Sequence, residues 1–270
     1  MTDDNAYDFQ VHIERLRKDK TVALGQVTLL HEWLNRKRSS RQCGRITGES
    51  RTGKTKACDS YLKKYGKPEL SGQIPIVPVS YILPKQECTS RELFRQLLAY
   101  YNYDLPRGTV GDARSLVLKV LRQSQTEVLL IDEADRLKNK TFADVRDIFD
   151  ELKIAVILVG TTKRLDPAVK EDEQVYNRFR ANYRFGTIQK EQLKQIVGVW
   201  ERDIIALPVP SHLTTDPMLK LIRPAIGNPN RGYYIGLIDM VLREAAIRSL
   251  EKGMMHIDKD ILAEVAREYS

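Results

Sequence analysis

The sequence predicts an α/β fold: a central parallel sheet flanked by helices, followed by a small C-terminal helical lid. Three observations carry that prediction. Val128-Leu129-Leu130-Ile131 and Ile154-Ala155-Val156-Ile157-Leu158-Val159 are continuous apolar runs, the pattern of parallel strands buried on both faces. Helical patterns lie between the strand candidates. From about Gln189 onward the pattern becomes helix after helix, punctuated by Pro208, Pro210, Pro229 and Gly253.

Taken in order, residues 11–16 and 27–34 place apolar side chains at helical spacings, with a break from Thr21 to Gly25. Arg45-Ile46-Thr47 is a short strand candidate, unusually polar for a central position. Residues 56–62 then read as a helix. Residues 74–82 alternate apolar side chains, but Pro75 and Pro78 predict an interrupted or edge-like strand. Thr89-Ser90-Arg91-Glu92 and Thr109-Val110-Gly111-Asp112 have the spacing of capping boxes that open helices over 93–98 and 116–118. In the last zone helices are predicted over 191–207, 217–226, 234–250 and 257–269.

Composition sets the outer bounds. The chain has 270 residues, 42% hydrophobic and 30% charged, enough to bury a substantial core, which excludes disordered and collagen-like classes. No apolar run approaches the roughly 18 to 20 residues that cross a bilayer, and the start Met1-Thr2-Asp3-Asp4 is unlike a signal peptide. A soluble intracellular protein with no membrane partner is expected. Cys43, Cys58 and Cys88 are isolated, so neither a disulfide framework nor a structural zinc site is expected. The formal charge of +8 favours polyanion partners. From Arg36 to Lys56 there are eight basic residues and one acid, Glu49, so a phosphate ligand is sought there, against the plainer reading of a solvated charged face.

Gly48-Glu49-Ser50-Arg51-Thr52-Gly53-Lys54-Thr55 is a complete G-x-x-x-x-G-K-[ST] loop between a strand candidate and a helix. Its glycines let successive N–H groups point at phosphate oxygens, Lys54 reaches the terminal phosphates, and Thr55 offers an oxygen to Mg²⁺. The run ending Ile131-Asp132-Glu133 places Asp132 where it can hold Mg²⁺ and Glu133 where it can accept a proton from attacking water. ATP and Mg²⁺ are therefore the expected cofactors. Thr161 or Thr162, closing the next apolar run, could sense the γ-phosphate, or form an ordinary turn. In Tyr176-Asn177-Arg178-Phe179-Arg180, Arg178 or Arg180 could neutralise charge on a neighbouring subunit's nucleotide, or make a structural salt bridge.

These residues resemble AAA+ ATPases: the Gly48 to Thr55 loop, Asp132-Glu133, Thr161/Thr162, residues 177–180, and a lid with Gly232-Tyr233-Tyr234-Ile235-Gly236. The loop, Ile131-Asp132-Glu133-Ala134-Asp135-Arg136-Leu137 and Thr141-Phe142-Ala143-Asp144-Val145-Arg146-Asp147 look like the TniB/TnsC transposition regulators. In its compact length the chain is most similar to TnsC of CRISPR-associated transposons. The resemblance implies an AAA+ P-loop core at 43–188 with an N-terminal helical segment, 1–42, packed on it and a lid at 189–270. It implies a cytoplasmic prokaryotic ATPase that oligomerises around duplex DNA, often as a helical filament, and links a target-selection adaptor or RNA-guided effector to the transposase. It assigns the Walker roles to Lys54, Thr55, Asp132 and Glu133, the finger to Arg178, and the lid contact with nucleotide to Ile235 and Gly236. Leu237 stands where many AAA+ lids carry a sensor arginine, which predicts slow turnover.

The two helix starts at 89–92 and 109–112 each offer free N–H groups and a dipole to DNA. Arg91 and Thr109 are the expected backbone phosphate contacts, with Arg107, Arg114 and Lys119 as lesser candidates; a cap and a solvated charge are the plainer reading of the first two. Two rival readings share the nucleotide motifs: a helicase or clamp loader or replication initiator, and a nucleotide-switched scaffold.

Overall fold

The computed structural model describes residues 8–18, 22, 24–69 and 74–270. The acidic start at Met1 to Asp4 and the Thr21 end of the expected break lie outside them. The chain divides into two compact units, Ala23–Phe185, and Met1–Val22 together with Gly186–Ser270.

The first unit is α/β. Its helices are α2 (Gly25–Ser40), α3 (Lys54–Tyr65), α4 (Ser90–Tyr100), α5 (Val110–Gln123), α6 (Asn139–Leu152), α7 (Thr162–Lys170) and α8 (Glu173–Arg178). Its strands are β1 (Gly44–Gly48), β2 (Val79–Ile82), β3 (Val128–Ile131), β4 (Ala155–Thr161) and β5 (Asn182–Arg184), all parallel in the order β2-β3-β4-β1-β5. Strand period sorts the apolar runs onto two faces. Leu129, Ile131, Val156 and Leu158 pack with Leu93, Val117 and Phe142 from α4, α5 and α6. Val128, Leu130, Ile157 and Val159 pack with Leu30 and Leu34 of α2 and with Ala57, Cys58 and Tyr61 of α3. Of the expected strand at 74–82 only the last four residues join the sheet, as its edge, while Ile76 bridges to Glu69.

The polarity of β1 has a structural cause. All five of its residues are buried; Ile46 points into the α2/α3 face, while the opposite face turns Arg45 onto Asp166 of α7 at 3.0 Å. The Arg45 guanidinium also lies 5.5 Å from the Tyr176 ring centroid. Thr47 donates to the Asn182 side chain at 2.9 Å. Arg45 is therefore an internal cation, which corrects its grouping with phosphate ligands. Arg38 is likewise paired with Glu127. Because α2 ends beside the start of β1, Arg36, Lys37 and Arg41 belong to the opposite end of that strand from the loop Gly48 to Thr55.

The second unit is helical: α1 (Phe9–Arg17), α9 (Lys190–Val199), α10 (Asp216–Ile226), α11 (Ile235–Glu251) and α12 (Lys259–Glu268), with the two-residue strands β6 (Gly227–Asn228) and β7 (Gly232–Tyr233). The helix expected over 191–207 changes at Trp200 to a wider π-helical turn, Trp200–Ile205, and stops at Ala206 with φ 42°. Arg15 of α1 donates to the Ile204 carbonyl at 2.9 Å, and Arg243 of α11 donates to the Leu16 carbonyl at 2.6 Å. Each arginine meets carbonyls left open at a helix end. The expected single segment 1–42 is thus divided: α1, through Ile13, Leu16 and this arginine pair, belongs with the C-terminal helices, and α2 belongs with the sheet. Among the described residues no helix is long and apolar enough to cross a membrane. Cys43, Cys58 and Cys88 are free and buried.

Candidate nucleotide site

The site is built at the carboxyl edge of the sheet. Register places Gly48 of β1 opposite Thr161 of β4, and β4 separates β1 from β3, whose end leads into Asp132. The phosphate-loop residues, the threonine and the acid therefore end neighbouring strands, where parallel α/β sheets hold ligands.

The loop leaves β1 at Gly48, where a Cβ would come within 2.3 Å of the Phe185 carbonyl oxygen, so that position admits only glycine without backbone movement. Arg51 at φ 63° and Gly53 at φ 98° turn the chain through left-handed conformations. Gly53 precedes α3 without a side-chain cap, and no acidic residue occupies the first turn, so the first N–H groups of α3 are open to an anion. Thr52 braces the loop by donating to the Glu49 carbonyl at 2.8 Å. Lys54 is 8% exposed, and its ammonium donates to the Gly48 and Glu49 carbonyls at 3.1 and 2.7 Å. Burial lowers its pKa, opposed chiefly by Asp132 and Asp135 and also by Cys58 and Glu133, which puts the lysine within the field of these acids. Ser50, Arg51 and Thr55 are exposed.

Asp132 is 1% exposed. Its N–H donates to the Ile82 carbonyl at 2.9 Å; its Oδ1 accepts the Glu133 N–H at 2.8 Å, and its Oδ2 accepts the Tyr81 hydroxyl at 2.7 Å. Glu133 sits at φ 45°, and its carboxylate is paired with Arg136, which also donates to the Pro84 carbonyl at 3.2 Å. Thr161 precedes α7 with its hydroxyl outside any cap. These donors suit a magnesium nucleotide. Thr55 and Asp132 supply hard oxygens, and the buried ammonium and uncapped helix start supply the complement to phosphate.

Two residues that sequence reasoning passed over also line this edge. Tyr81 lies two residues along β2 from Val79, on the α3 face of the sheet. Burial raises its phenol pKa, with Asp132 adding to the effect. Asp135 turns its side chain toward Gly160, where a Cβ would meet Asp135 Oδ1 at 2.6 Å. Nothing in the local sequence pairs Tyr81 with Asp132, because the register of β2 on β3 decides it; the signal for Asp135 was its place beside Asp132-Glu133.

The remaining candidates are dispersed. Arg178 is bound to Asp150 at 3.3 Å, whereas Arg180 is exposed and has no ion pair or side-chain hydrogen bond among the described residues. Arg91 donates to the Gly108 carbonyl at 2.9 Å, joining the approaches to α4 and α5. Thr109 forms a complete capping box with Asp112. Thr89 does not complete the other expected box: its hydroxyl accepts the Glu92 N–H, but the Glu92 carboxylate turns to Arg95 and Gln96. Arg114 spans to Asp144 and Asp147 of α6, so its charge is already matched. Arg107 and Lys119 are exposed. Ile235 and Gly236, with Leu237, open α11 in the helical unit.

Several solved structures share this fold. Cdc6p of Pyrobaculum aerophilum matches with a TM-score of 0.73 at 18% identity, over 95% of this chain and 71% of its own. The ADP form of Aeropyrum pernix ORC2 matches at 0.70 and 14%, over 94% and 72%. Drosophila ORC bound to DNA matches at 0.61 and 13%, over 99% and 67%. The core thus has the AAA+ fold of these Cdc6 and ORC structures, with a helical C-terminal region. None of the curated proteins matches the chain in sequence. The model of the bacterial TniB protein family matches residues 13–185, a span that takes in the phosphate loop, the Asp132-Glu133 edge and every strand of the large sheet; the chain belongs to that transposition-related AAA+ family.

Proposed function

We propose that the protein is an ATP-dependent regulator of DNA transposition, of the kind represented by TnsC of CRISPR-associated transposons. In this reading it assembles on duplex DNA and couples target-site selection to transposase recruitment. The observation that carries the reading is the convergence, in a TniB chain, of the Gly48 to Thr55 loop with buried Lys54 and Asp132 and half-buried Glu133 at one sheet edge.

The N–H groups of the loop and Lys54 bind the phosphates, and Thr55 with Asp132 holds Mg²⁺. When bound, the cation neutralises charge on the transferring phosphoryl group. Glu133 takes the proton of the attacking water at its carboxylate. Its pairing with Arg136 supports a slow, regulated turnover, because that ion pair has to open first. Thr161 presents its hydroxyl to the γ-phosphate from the intervening strand. Arg180 is favoured over Arg178 as the residue presented to a neighbouring subunit, since Arg178 is engaged by Asp150.

Duplex DNA is held through its backbone by Arg91, Arg107 and Lys119 with the start of α5 at Thr109, which gives weak sequence preference and strong salt dependence. A target-selection adaptor or RNA-guided effector and the transposase are the remaining partners. A replication-initiator or loader role draws support only from the shared fold.

The test is negative-stain electron microscopy with a slowly hydrolysed ATP analogue, with and without duplex. Filaments or stacked rings that need both ligands, and that Lys54→Ala abolishes, are expected. Discrete particles indifferent to DNA overturn the transposition reading in favour of a loader or initiator. Assembly that persists in Lys54→Ala detaches it from nucleotide.

A further inference from the structure

We propose that Tyr81 is a positioning residue for the divalent cation, acting through Asp132. The inference rests on the nucleotide reading above and adds a residue that the phosphate-loop motifs do not contain. Tyr81 comes from β2, paired in register with Leu130 of β3, and both side chains belong to the face of the sheet covered by α3. Strand period returns the chain to that face at Asp132, two residues after Leu130. The phenol therefore reaches along the end of β3 and donates to Asp132 Oδ2 at 2.7 Å.

The effect on the carboxylate is geometric. A carboxylate has about four lone-pair directions on its two oxygens. At Asp132 one oxygen accepts the Glu133 N–H at 2.8 Å and the other accepts Tyr81, while the Asp132 N–H is fixed to the Ile82 carbonyl at 2.9 Å. With the backbone and both oxygens held, the carboxylate cannot rotate, and its remaining lone pairs keep one direction. Asp132 is 1% exposed and touches no lysine or arginine closely enough for an ion pair among the described residues. These two hydrogen bonds are thus its direct partners. Groups that orient a metal ligand in this way commonly change metal affinity about 10- to 100-fold when removed.

The experiment measures binding of a non-hydrolysable fluorescent ATP analogue to the full chain during titration with MgCl₂, and separately in EDTA. Tyr81→Phe keeps the ring and removes only the donor. The half-saturating Mg²⁺ concentration is expected to rise about 10-fold or more, with the affinity in EDTA close to wild type and the melting temperature lowered only by the few degrees that one lost hydrogen bond to a buried carboxylate costs. In an Asp132→Asn background the same substitution is expected to leave the Mg²⁺ dependence unchanged, because its route to the metal is gone. A normal Mg²⁺ dependence in Tyr81→Phe, an equal loss of affinity in EDTA, or a full additional effect in the Asp132→Asn background overturns the proposal. Wild-type protein that binds the analogue under neither condition overturns the nucleotide reading itself and takes this one with it.

Discussion

Arg45 separates two uses of a positive charge, and its substitution tells them apart. The residue belongs by sequence to the basic run around the phosphate loop, yet it is 4% exposed and paired with Asp166 at 3.0 Å, with the Tyr176 ring centroid 5.5 Å away. Removing one member of a buried pair costs about 3 to 5 kcal/mol because the other charge stays buried. The Asp166 side chain is 19% exposed, so water softens the loss when Asp166 is the member left behind. Asp166→Ala, which strands the more deeply buried guanidinium, is expected to cost about 3 kcal/mol, and Arg45→Met about 1 to 2 kcal/mol. The double variant Arg45→Met/Asp166→Leu replaces the pair by apolar volume and is expected within about 1 kcal/mol of wild type. Each kcal/mol moves the melting temperature by about 2 to 4 °C at this domain size, so Asp166→Ala shifts it by about 6 to 12 °C. Urea denaturation followed by circular dichroism measures the cycle, and ATP-analogue binding by the folded protein is measured alongside. Additive losses across the cycle would refute the ion-pair account. A 10-fold loss of analogue affinity in Arg45→Met at unchanged stability would return Arg45 to the phosphate site.

Four further substitutions follow from the same geometry. Gly48→Ala drives a Cβ to 2.3 Å from the Phe185 carbonyl; a loss of about 1 to 3 kcal/mol in urea denaturation is expected, together with loss of analogue binding, and a normal melt with intact binding contradicts it. Arg114→Ala leaves the Asp144 side chain, 6% exposed, without its cation; it is expected to cost about 2 kcal/mol and to leave the salt slope of duplex binding unchanged, whereas Arg91→Ala is expected to lower that slope by about one unit at constant stability. Glu92 is held down to about 2 by hydrogen bonds from Arg95 and then Gln96; because its folded pKa is depressed, its contribution is present above about 4.5 and disappears as the pH falls toward 2. The stability difference between wild type and Glu92→Gln is expected to close over that window, and a constant difference speaks against it.

The parts of the molecule legible in the sequence are those fixed by local pattern. The β3 and β4 runs declare themselves because both faces of each strand are covered, and the phosphate loop because its backbone demands glycine at fixed spacing. What pattern could not supply is pairing between elements distant in sequence. Arg45 with Asp166, Arg114 with Asp144, and Tyr81 with Asp132 are side-chain contacts across the fold, and nothing in the local sequence of either partner specifies the other. The division of the N-terminal segment has the same origin. α1 and α2 both show a helical period, and what assigns α1 to the C-terminal helices is the burial of Ile13 and Leu16 together with the arginines meeting open carbonyls.

This distinction changes what the net charge implies. A formal +8 favours a polyanion only through cations that remain unmatched. Arg38, Arg45, Arg114, Arg178, Arg243 and Arg248 each face a carboxylate within the fold. Each pair removes one cation and one acid, so the net +8 is unchanged but lies on other cations; at physiological salt, where the Debye length is about 8 Å, only those near the duplex attract it. The case for duplex DNA therefore stands on position rather than on total charge: exposed Arg107 and Lys119, and Arg91 whose guanidinium already bridges toward the start of α5. Three such contacts correspond to a salt slope of roughly three, shallow enough that a single duplex encounter is weak at physiological salt. Under the proposed function, stable residence on DNA then requires several subunits bound side by side. The proposed function therefore expects nucleotide-dependent assembly to be the condition for holding DNA, and the salt slope of the assembled state to scale with the number of subunits engaged.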